Sequence, residues 1–255
     1  DGTIHLKIVE IRGDVLVCKV IVGGLLSTRK GINVPDAEIS LPTLSDKDKA
    51  DTLWGVENDV DFIAVSFVRN CDDVLAVRRV IEEAGGDIKL IAKIESRKAV
   101  ERLDEIADVV DGMMVARGDL GVEIPTEDVP LVQKQIIDIC RSRGKLTIVA
   151  TQMLDSMIRN PRPTRAEAND VANAVLDGAD AVMLSGESAA GKYPVRAVET
   201  MARIVHRAEE GLVRWQRPFA VPTLEDSVPD GVSMAAVELA RKLRARAIVS
   251  LTRSG

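Results

Sequence analysis

The sequence predicts an α/β protein built on part of a parallel (β/α) barrel, and three observations carry that prediction. Short runs rich in Val, Ile and Met recur at 60–67, 88–94, 112–116, 147–150 and 181–184. Amphipathic segments separate them, over roughly 46–58, 72–84, 97–107, 126–143, 164–177 and 194–215. The runs follow one another at about 23 to 35 residues, as the crossover of a βα unit requires. Strands that are apolar on both faces and joined by helices form parallel sheets covered by those helices.

In chain order, residues 4–22 come first. Ile4, Leu6 and Ile8 alternate with His5 and Lys7, and Arg12-Gly13-Asp14 turns the chain into the apolar run that starts at Val15. That is a β-hairpin by period and turn chemistry. Gly23-Gly24 and the stretch Lys30-Gly31-Ile32-Asn33-Val34-Pro35 then break the pattern as a connector does. Helix starts are marked by Ser45-Asp46-Lys47-Asp48 and Thr164-Arg165-Ala166-Glu167, both capping-box sequences, and Pro194 suits a first helical turn. Residues 218–230, with Pro218, Pro222 and Pro229, read as a linker. A helix over 231–244 and a strand over 246–251 follow it. The 255 residues invite a complete eight-stranded barrel, but the count between residues 60 and 184 is five βα units. The expected architecture is a partial (β/α)8 TIM-type barrel, with a β-rich piece before it and the start of an α/β domain after it. The chain opens on Asp1-Gly2 without Met and stops as its last apolar run enters a loop, so both ends read as cut.

Composition narrows the function. Hydrophobic residues make up 46% and charged residues 29%, the balance of a globular chain. The net charge of −6 with no basic stripe, and only 2% aromatics, argue against nucleic acid as a partner. No apolar run approaches the roughly 18 residues of a membrane span, and no secretory leader is visible. Cys18, Cys71 and Cys140 share no CxxC spacing and read as reduced, buried thiols of a cytoplasmic protein. With only His5 and His206, the chemistry must rest on carboxylates, Lys, Arg, Thr and Ser.

Function gathers at the carboxyl ends of strands in parallel α/β folds. The second unit ends Ile91-Ala92-Lys93-Ile94-Glu95, with Lys93 and Glu95 two apart and so on one face. They make either an ion pair at the strand mouth or part of a site. The third ends Ala116-Arg117-Gly118-Asp119-Leu120-Gly121, where two glycines let the backbone turn and offer N–H groups to an anion. Asp119 is either a capping residue there or a partner of Glu95 on a divalent cation, since Mg²⁺ takes one or two carboxylates and fills its shell with water and substrate oxygens. Thr151 ends the fourth unit as a helix cap or a hydroxyl at the mouth; Ser66 ends the first, and Ser185-Gly186-Glu187-Ser188 the fifth. Gly186-Glu187-Ser188-Ala189-Ala190-Gly191-Lys192 imitates a P-loop, but Tyr193 stands where the Mg²⁺-ligating Ser or Thr belongs. Arg162-Pro163-Thr164-Arg165 is a rigid basic loop, read as a solvated helix entry, an oligomer contact or an anion clamp. His206 is expected in solvent; Met113, Met114 and Met183 are expected in the core.

Four blocks make the sequence recognisable: 91–95; 113–121; Ala150-Thr151-Gln152-Met153-Leu154; and Asn160-Pro161-Arg162-Pro163-Thr164-Arg165-Ala166-Glu167. With 170–180 and Met183-Leu184-Ser185-Gly186-Glu187 they stand in the order seen in pyruvate kinases, and the chain resembles that family along essentially its whole length. The resemblance implies that residues 1–41 are the end of a β-barrel lid domain, 42–217 strands four to eight of the catalytic barrel, and 218–255 the entry to a regulatory carboxyl-terminal domain. It implies Glu95 and Asp119 as ligands of Mg²⁺ or Mn²⁺, and Lys93 as the cation that stabilises the transferring phosphoryl group and the enolate. The Gly118 and Asp119 amides would hold the pyruvate carboxylate, and Thr151 would lie beside the carbon that is protonated. Thr252 and Ser254 would begin an effector phosphate loop. The implied reaction moves phosphate from phosphoenolpyruvate to ADP, giving pyruvate and ATP. A cytoplasmic homotetramer using K⁺ is implied for the complete enzyme. The first three barrel strands, with the family's arginine and K⁺ residues, are absent, so the chain alone is expected to be inactive. Two other readings stand beside this one: an Mg²⁺-dependent pyruvate-type aldolase or lyase, and a non-catalytic interaction fragment. Lys93 and the 162–167 block favour the kinase.

Overall fold

The computed structural model describes residues 4–26, 28, 31, 32, 34, 44–214 and 228–250. The chain separates into two compact units, residues 1–217 and 218–255. In the first, β1 (His5–Arg12) and β2 (Val15–Val22) form the expected antiparallel hairpin, with Arg12 opposite Val15 across the turn at Gly13.

The rest of that unit is a parallel five-stranded sheet: β3 (Phe62–Val65), β4 (Lys89–Ile94), β5 (Gly112–Ala116), β6 (Leu146–Ala150) and β7 (Ala181–Met183). Their spatial order is their chain order. A doubly wound sheet reverses direction at a switch point, whereas unbroken sequential order with right-handed crossovers stacks every helix on one face, as in a barrel wall. The side chains follow. Leu90, Ala92 and Ile94 of β4, Met113 and Val115 of β5 and Val149 of β6 enter the large core against the helices. Ile91, Met114 and Ala150 meet on the opposite face, with Ile148 and Met183 packed beside them. Each Leu, Ile or Met buried in this way contributes about 1.5–3 kcal/mol.

Helix α1 (Asp46–Glu57) starts at the expected capping box, with the Ser45 side chain accepting from the Asp48 N–H. Helix α2 (Cys71–Glu83) is capped by Asn70. The helix expected over 97–107 is two pieces, α3 (Arg97–Val100) and α4 (Leu103–Val109), because Arg102 leaves helical φ. The glycine-flanked segment after β5, expected as a turn, is a short helix, α5 (Arg117–Glu123). Helix α6 (Val129–Ser142) starts later than residue 126, with Pro130 in its first turn. A 3₁₀ turn (Asp155–Ile158) precedes α7 (Arg165–Asp177), which ends on Gly178 at φ 103°, a backbone that disfavours any side chain. Helices α8 (Gly186–Ala189) and α9 (Pro194–Arg214) complete the unit.

In the second unit the described residues hold α10 (Val228–Leu243). The strand expected over 246–251 is not formed at 246–250, and residue 251 lies outside the described residues. Apolar character alone does not make a strand; a ladder partner is required, and no second strand stands in that unit among the described residues. The cysteines also depart from expectation: all are free, but Cys18 is exposed, Cys71 half-buried and only Cys140 buried. Burial pushes the Cys140 thiol up from its ordinary value, as expected of an inert core thiol. No helix among the described residues is long and apolar enough to cross a membrane.

The α7 capping box has a measurable consequence. Burial alone would push the Glu167 carboxyl up, but hydrogen bonds from Ser156 and Thr164 outweigh it and hold the group below its ordinary value of 4.5. Ser156 Oγ and N lie at 2.6 and 2.7 Å, Thr164 N and Oγ1 at 2.6 and 2.9 Å. A depressed folded-state pKa contributes stability that is present above the unfolded value and lost as pH falls through the folded one. Thr164→Ala should cost about 1 kcal/mol. Glu167→Gln should lower the thermal midpoint near neutral pH, and the gap from the unmodified protein should close as pH drops below 4.5. A gap that does not change with pH would show that the Glu167 charge adds nothing.

Candidate active site

Alternation along β4 turns Lys93 and Glu95 away from the helix-covered core, on the face of Ile91. Glu95 is only 2% exposed. A carboxylate that deep is unfavourable unless each oxygen finds a donor. Lys93 Nζ lies 2.6 Å from Oε1, and the Phe67 N–H donates to Oε2 at 2.7 Å. Lys93 Nζ also donates to Ser66 Oγ at 3.0 Å. The ion pair left open by the spacing is therefore formed, and it draws the end of β3 onto the end of β4. Phe67 reaches Glu95 with φ at 55° and is itself 68% exposed. A left-handed backbone at a bulky residue costs about 1–3 kcal/mol and persists only where its surroundings enforce it. The sequence run to residue 67 hid this turn, since β3 stops at Val65.

Just past the ends of β5 and β6, the Gly118 N–H donates to Thr151 Oγ1 at 2.7 Å, and that hydroxyl donates to the Ala150 carbonyl at 2.7 Å. Thr151 thus caps the first turn of α5 from another strand. One of the two amides expected for a carboxylate is occupied in this way. Asp119, in the same turn, is half-buried and makes no side-chain hydrogen bond or ion pair among the described residues. Thr151 and Gln152 are both left-handed, at φ 68° and 52°. The Arg117 guanidinium lies under this turn. Its Nε donates to the Ala150 carbonyl at 3.3 Å and Nη2 to the Thr151 carbonyl at 2.7 Å. Nη1 meets both oxygens of Asp170, on α7, at 2.8 and 2.7 Å.

Glu187, 2% exposed, closes the far side. It accepts from the Leu154 N–H at 3.0 Å and the Ser185 N–H at 2.9 Å. The P-loop imitation is thus a backbone latch, with its carboxylate turned inward. Sequence reasoning missed Phe67, Arg117 and Asp170. Arg117 had a signal, a cation between an apolar strand and Gly118, but its partner stands far along the chain.

The structure brings Lys93 and Glu95 together, and Gly118 and Thr151 together. Asp119 lies in the first turn of α5, three residues past the end of β5, and Glu95 one residue past the end of β4; the two strands are parallel neighbours with Ile94 opposite Val115. Arg162 and Arg165 are exposed and share in neither set of contacts. Arg162, between Pro161 and Pro163, instead lines a cleft of about 460 Å³ with Arg196, Glu199, Thr200 and Arg203. Thr252 and Ser254 lie outside the described residues. His206 is exposed beside Glu210, and Met113 and Met114 are buried, as expected; Met183, expected in the core, is only half-buried at the end of the sheet's last strand.

The chemistry of the donors fits a hard divalent cation. Glu95 uses one lone pair on each oxygen, and a carboxylate offers about four. Asp119 has its acceptors uncommitted. No group of three or more His, Cys, Asp or Glu assembles among the described residues. Two carboxylates with open positions suit Mg²⁺ or Mn²⁺, which keep water and substrate oxygens in their shells, better than an all-protein cage.

A family model described as "Pyruvate kinase, barrel domain" matches residues 1–198. The pyruvate kinase of Clostridium perfringens is 50% identical over 262 residues, taking in 100% of this chain and 55% of the relative. That of Bacillus licheniformis is 51% identical over 259 residues, with 100% and 44% covered. That of Mycobacterium intracellulare is 49% identical over 255 residues, with 100% and 53% covered. The chain spans about half the length of the curated relatives it matches.

Proposed function

Because the chain belongs to the pyruvate kinase family, we propose that it forms the divalent-metal half of an active site that transfers phosphate from phosphoenolpyruvate to ADP, giving pyruvate and ATP. The observation that carries this reading is the Lys93 ammonium, held at the mouth of β4 by Glu95 and Ser66, beside strand β5, which leads into the turn of α5 that carries Asp119. Phosphoryl transfer asks the protein for positioning and cationic stabilisation more than for covalent chemistry.

In this reading Lys93 faces the transferring phosphoryl group and the developing enolate charge. Glu95 keeps the ammonium aimed, and the Phe67 N–H keeps Glu95 aimed. The first turn of α5 receives the substrate carboxylate through the Asp119 N–H at the positive end of its peptide dipoles, the Gly118 N–H being taken by Thr151. Thr151 fixes the approach to the carbon that is protonated. Glu95 and Asp119 would hold Mg²⁺ or Mn²⁺, which when bound neutralises charge on the substrate oxygens. K⁺ belongs to the complete enzyme, on residues in the part of the relatives that this chain does not span.

Residues 1–41 are read as the end of a lid domain, 42–217 as the second part of the catalytic barrel, and 218–255 as the entry to a carboxyl-terminal domain carrying the effector loop at Thr252 and Ser254. Arg162 and Arg165 are assigned to a subunit contact or an anion clamp in a cytoplasmic homotetramer, with neither nucleic acid nor membrane as partner.

A coupled assay tests the reaction. The complete enzyme should form ATP from phosphoenolpyruvate and ADP only with a divalent cation, and the 255-residue chain alone should form none. Release of pyruvate by carbon–carbon cleavage of a hydroxy-oxo acid, without ATP formation, would replace the kinase by the lyase.

A further inference from the structure

We propose that Arg117, oriented by Asp170, is the positioning residue that holds the Thr151 hydroxyl at the mouth of β6; this rests on the role given to Thr151 above. Two consecutive left-handed residues, one of them β-branched, do not form spontaneously. Something must hold them, and the contacts of Arg117 meet that need. The turn points the Ala150 and Thr151 carbonyls to one side, where the guanidinium receives both, Nε at 3.3 Å and Nη2 at 2.7 Å. A planar fork with fixed donors can span two carbonyls, whereas a single ammonium cannot reproduce the geometry.

The same segment grips Thr151 a second time. The Gly118 N–H, one residue on from Arg117, binds the hydroxyl oxygen at 2.7 Å. The carbonyl and the side chain of Thr151 are therefore both held from the β5–α5 junction. The hydroxyl is left with its own donation to Ala150, and its position follows the junction.

Arg117 in turn is only 12% exposed, and a cation at that depth requires an anion. Asp170 supplies it, with both oxygens on Nη1. Asp170 stands on α7 and touches neither the turn's carbonyls nor Thr151 among the described hydrogen bonds. Its effect on the site passes through the guanidinium. Below the fork, Nη2 also lies 2.8 Å from Met153 Sδ, so the clamp extends past the turn.

The test uses the complete enzyme with Arg117→Met, Asp170→Asn, Thr151→Val and the double variant Arg117→Met/Thr151→Val. Misplacing a reacting group by about 1 Å costs on the order of a hundredfold in rate. Arg117→Met should lower kcat by about that factor, with KM for phosphoenolpyruvate and Mn²⁺ affinity nearly unchanged. Asp170→Asn should lose about tenfold in kcat. The double variant should be no slower than the slower single variant, since Arg117 acts only through Thr151. Added guanidinium ion should restore part of the turnover of Arg117→Met and none of that of Thr151→Val. Effects that multiply in the double variant, or a loss confined to KM, would overturn the proposal while leaving the kinase reading in place. Full turnover in Thr151→Val would remove the role of Thr151 and this proposal with it. Absence of ATP formation by the unmodified enzyme would instead remove the kinase reading. Should Arg117→Met not fold, Asp170→Asn combined with Thr151→Val gives the same test, and multiplying effects there would again overturn the proposal.

Discussion

Lys93→Met in the complete enzyme should lower turnover by about two to four orders of magnitude, while divalent-metal binding persists. A cation poised on developing charge is worth roughly 3–5 kcal/mol, taking an oxyanion-type donor as the guide and allowing more for a full charge. Methionine keeps the length and apolar stem of lysine and removes only the ammonium. The variant also leaves Glu95, at 2% exposure, without its cation. An uncompensated buried carboxylate is strongly destabilising. Added Mn²⁺ should therefore raise the thermal midpoint of Lys93→Met more than that of the unmodified enzyme, because the metal replaces the missing charge. Steady-state kinetics and melts with and without Mn²⁺ read both effects. A drop in turnover of tenfold or less would reduce Lys93 to an ion-pair partner of Glu95.

Much of this site was legible in the sequence because it obeys short-range rules. Lys93 and Glu95 share a face through the two-residue period of a strand, and the structure places both opposite the helix-covered core. The capping boxes at Ser45 and Thr164 are local patterns, and both formed. The parallel order of five strands follows from apolar runs separated by helices.

What stayed hidden depends on contacts between distant segments. Arg117 and Asp170 lie on different βα units, and no period relates them. Phe67 read as the last residue of an apolar run, whereas the need of Glu95 for a second donor turns it left-handed. The glycines around Asp119 suggested an open turn, but Gly118 donates to Thr151 and the segment winds into α5. Residues 246–250 carry strand-forming side chains without a ladder partner in their unit among the described residues. Cys18 sits on a hairpin whose side chains are mostly exposed, so composition alone could not place it.

The second large effect concerns the metal. Glu95→Gln keeps the shape of the side chain and can still accept from the Phe67 N–H, but it removes the charge that a hard cation needs. Loss of an outer partner of a metal site already costs about 10–100-fold in affinity, so loss of a charged ligand should cost at least about a hundredfold. Asp119→Asn should behave alike, because in the proposed site Asp119 is the second of two negatively charged ligands. Thr151→Val, on the strand beyond, should leave metal affinity unchanged. Titration of the complete enzyme with Mn²⁺, followed by water-proton relaxation, tests the central claim most directly. One Mn²⁺ site, lost over the working range in Glu95→Gln and in Asp119→Asn, is the predicted result; an affinity unchanged in either variant would contradict the joint site.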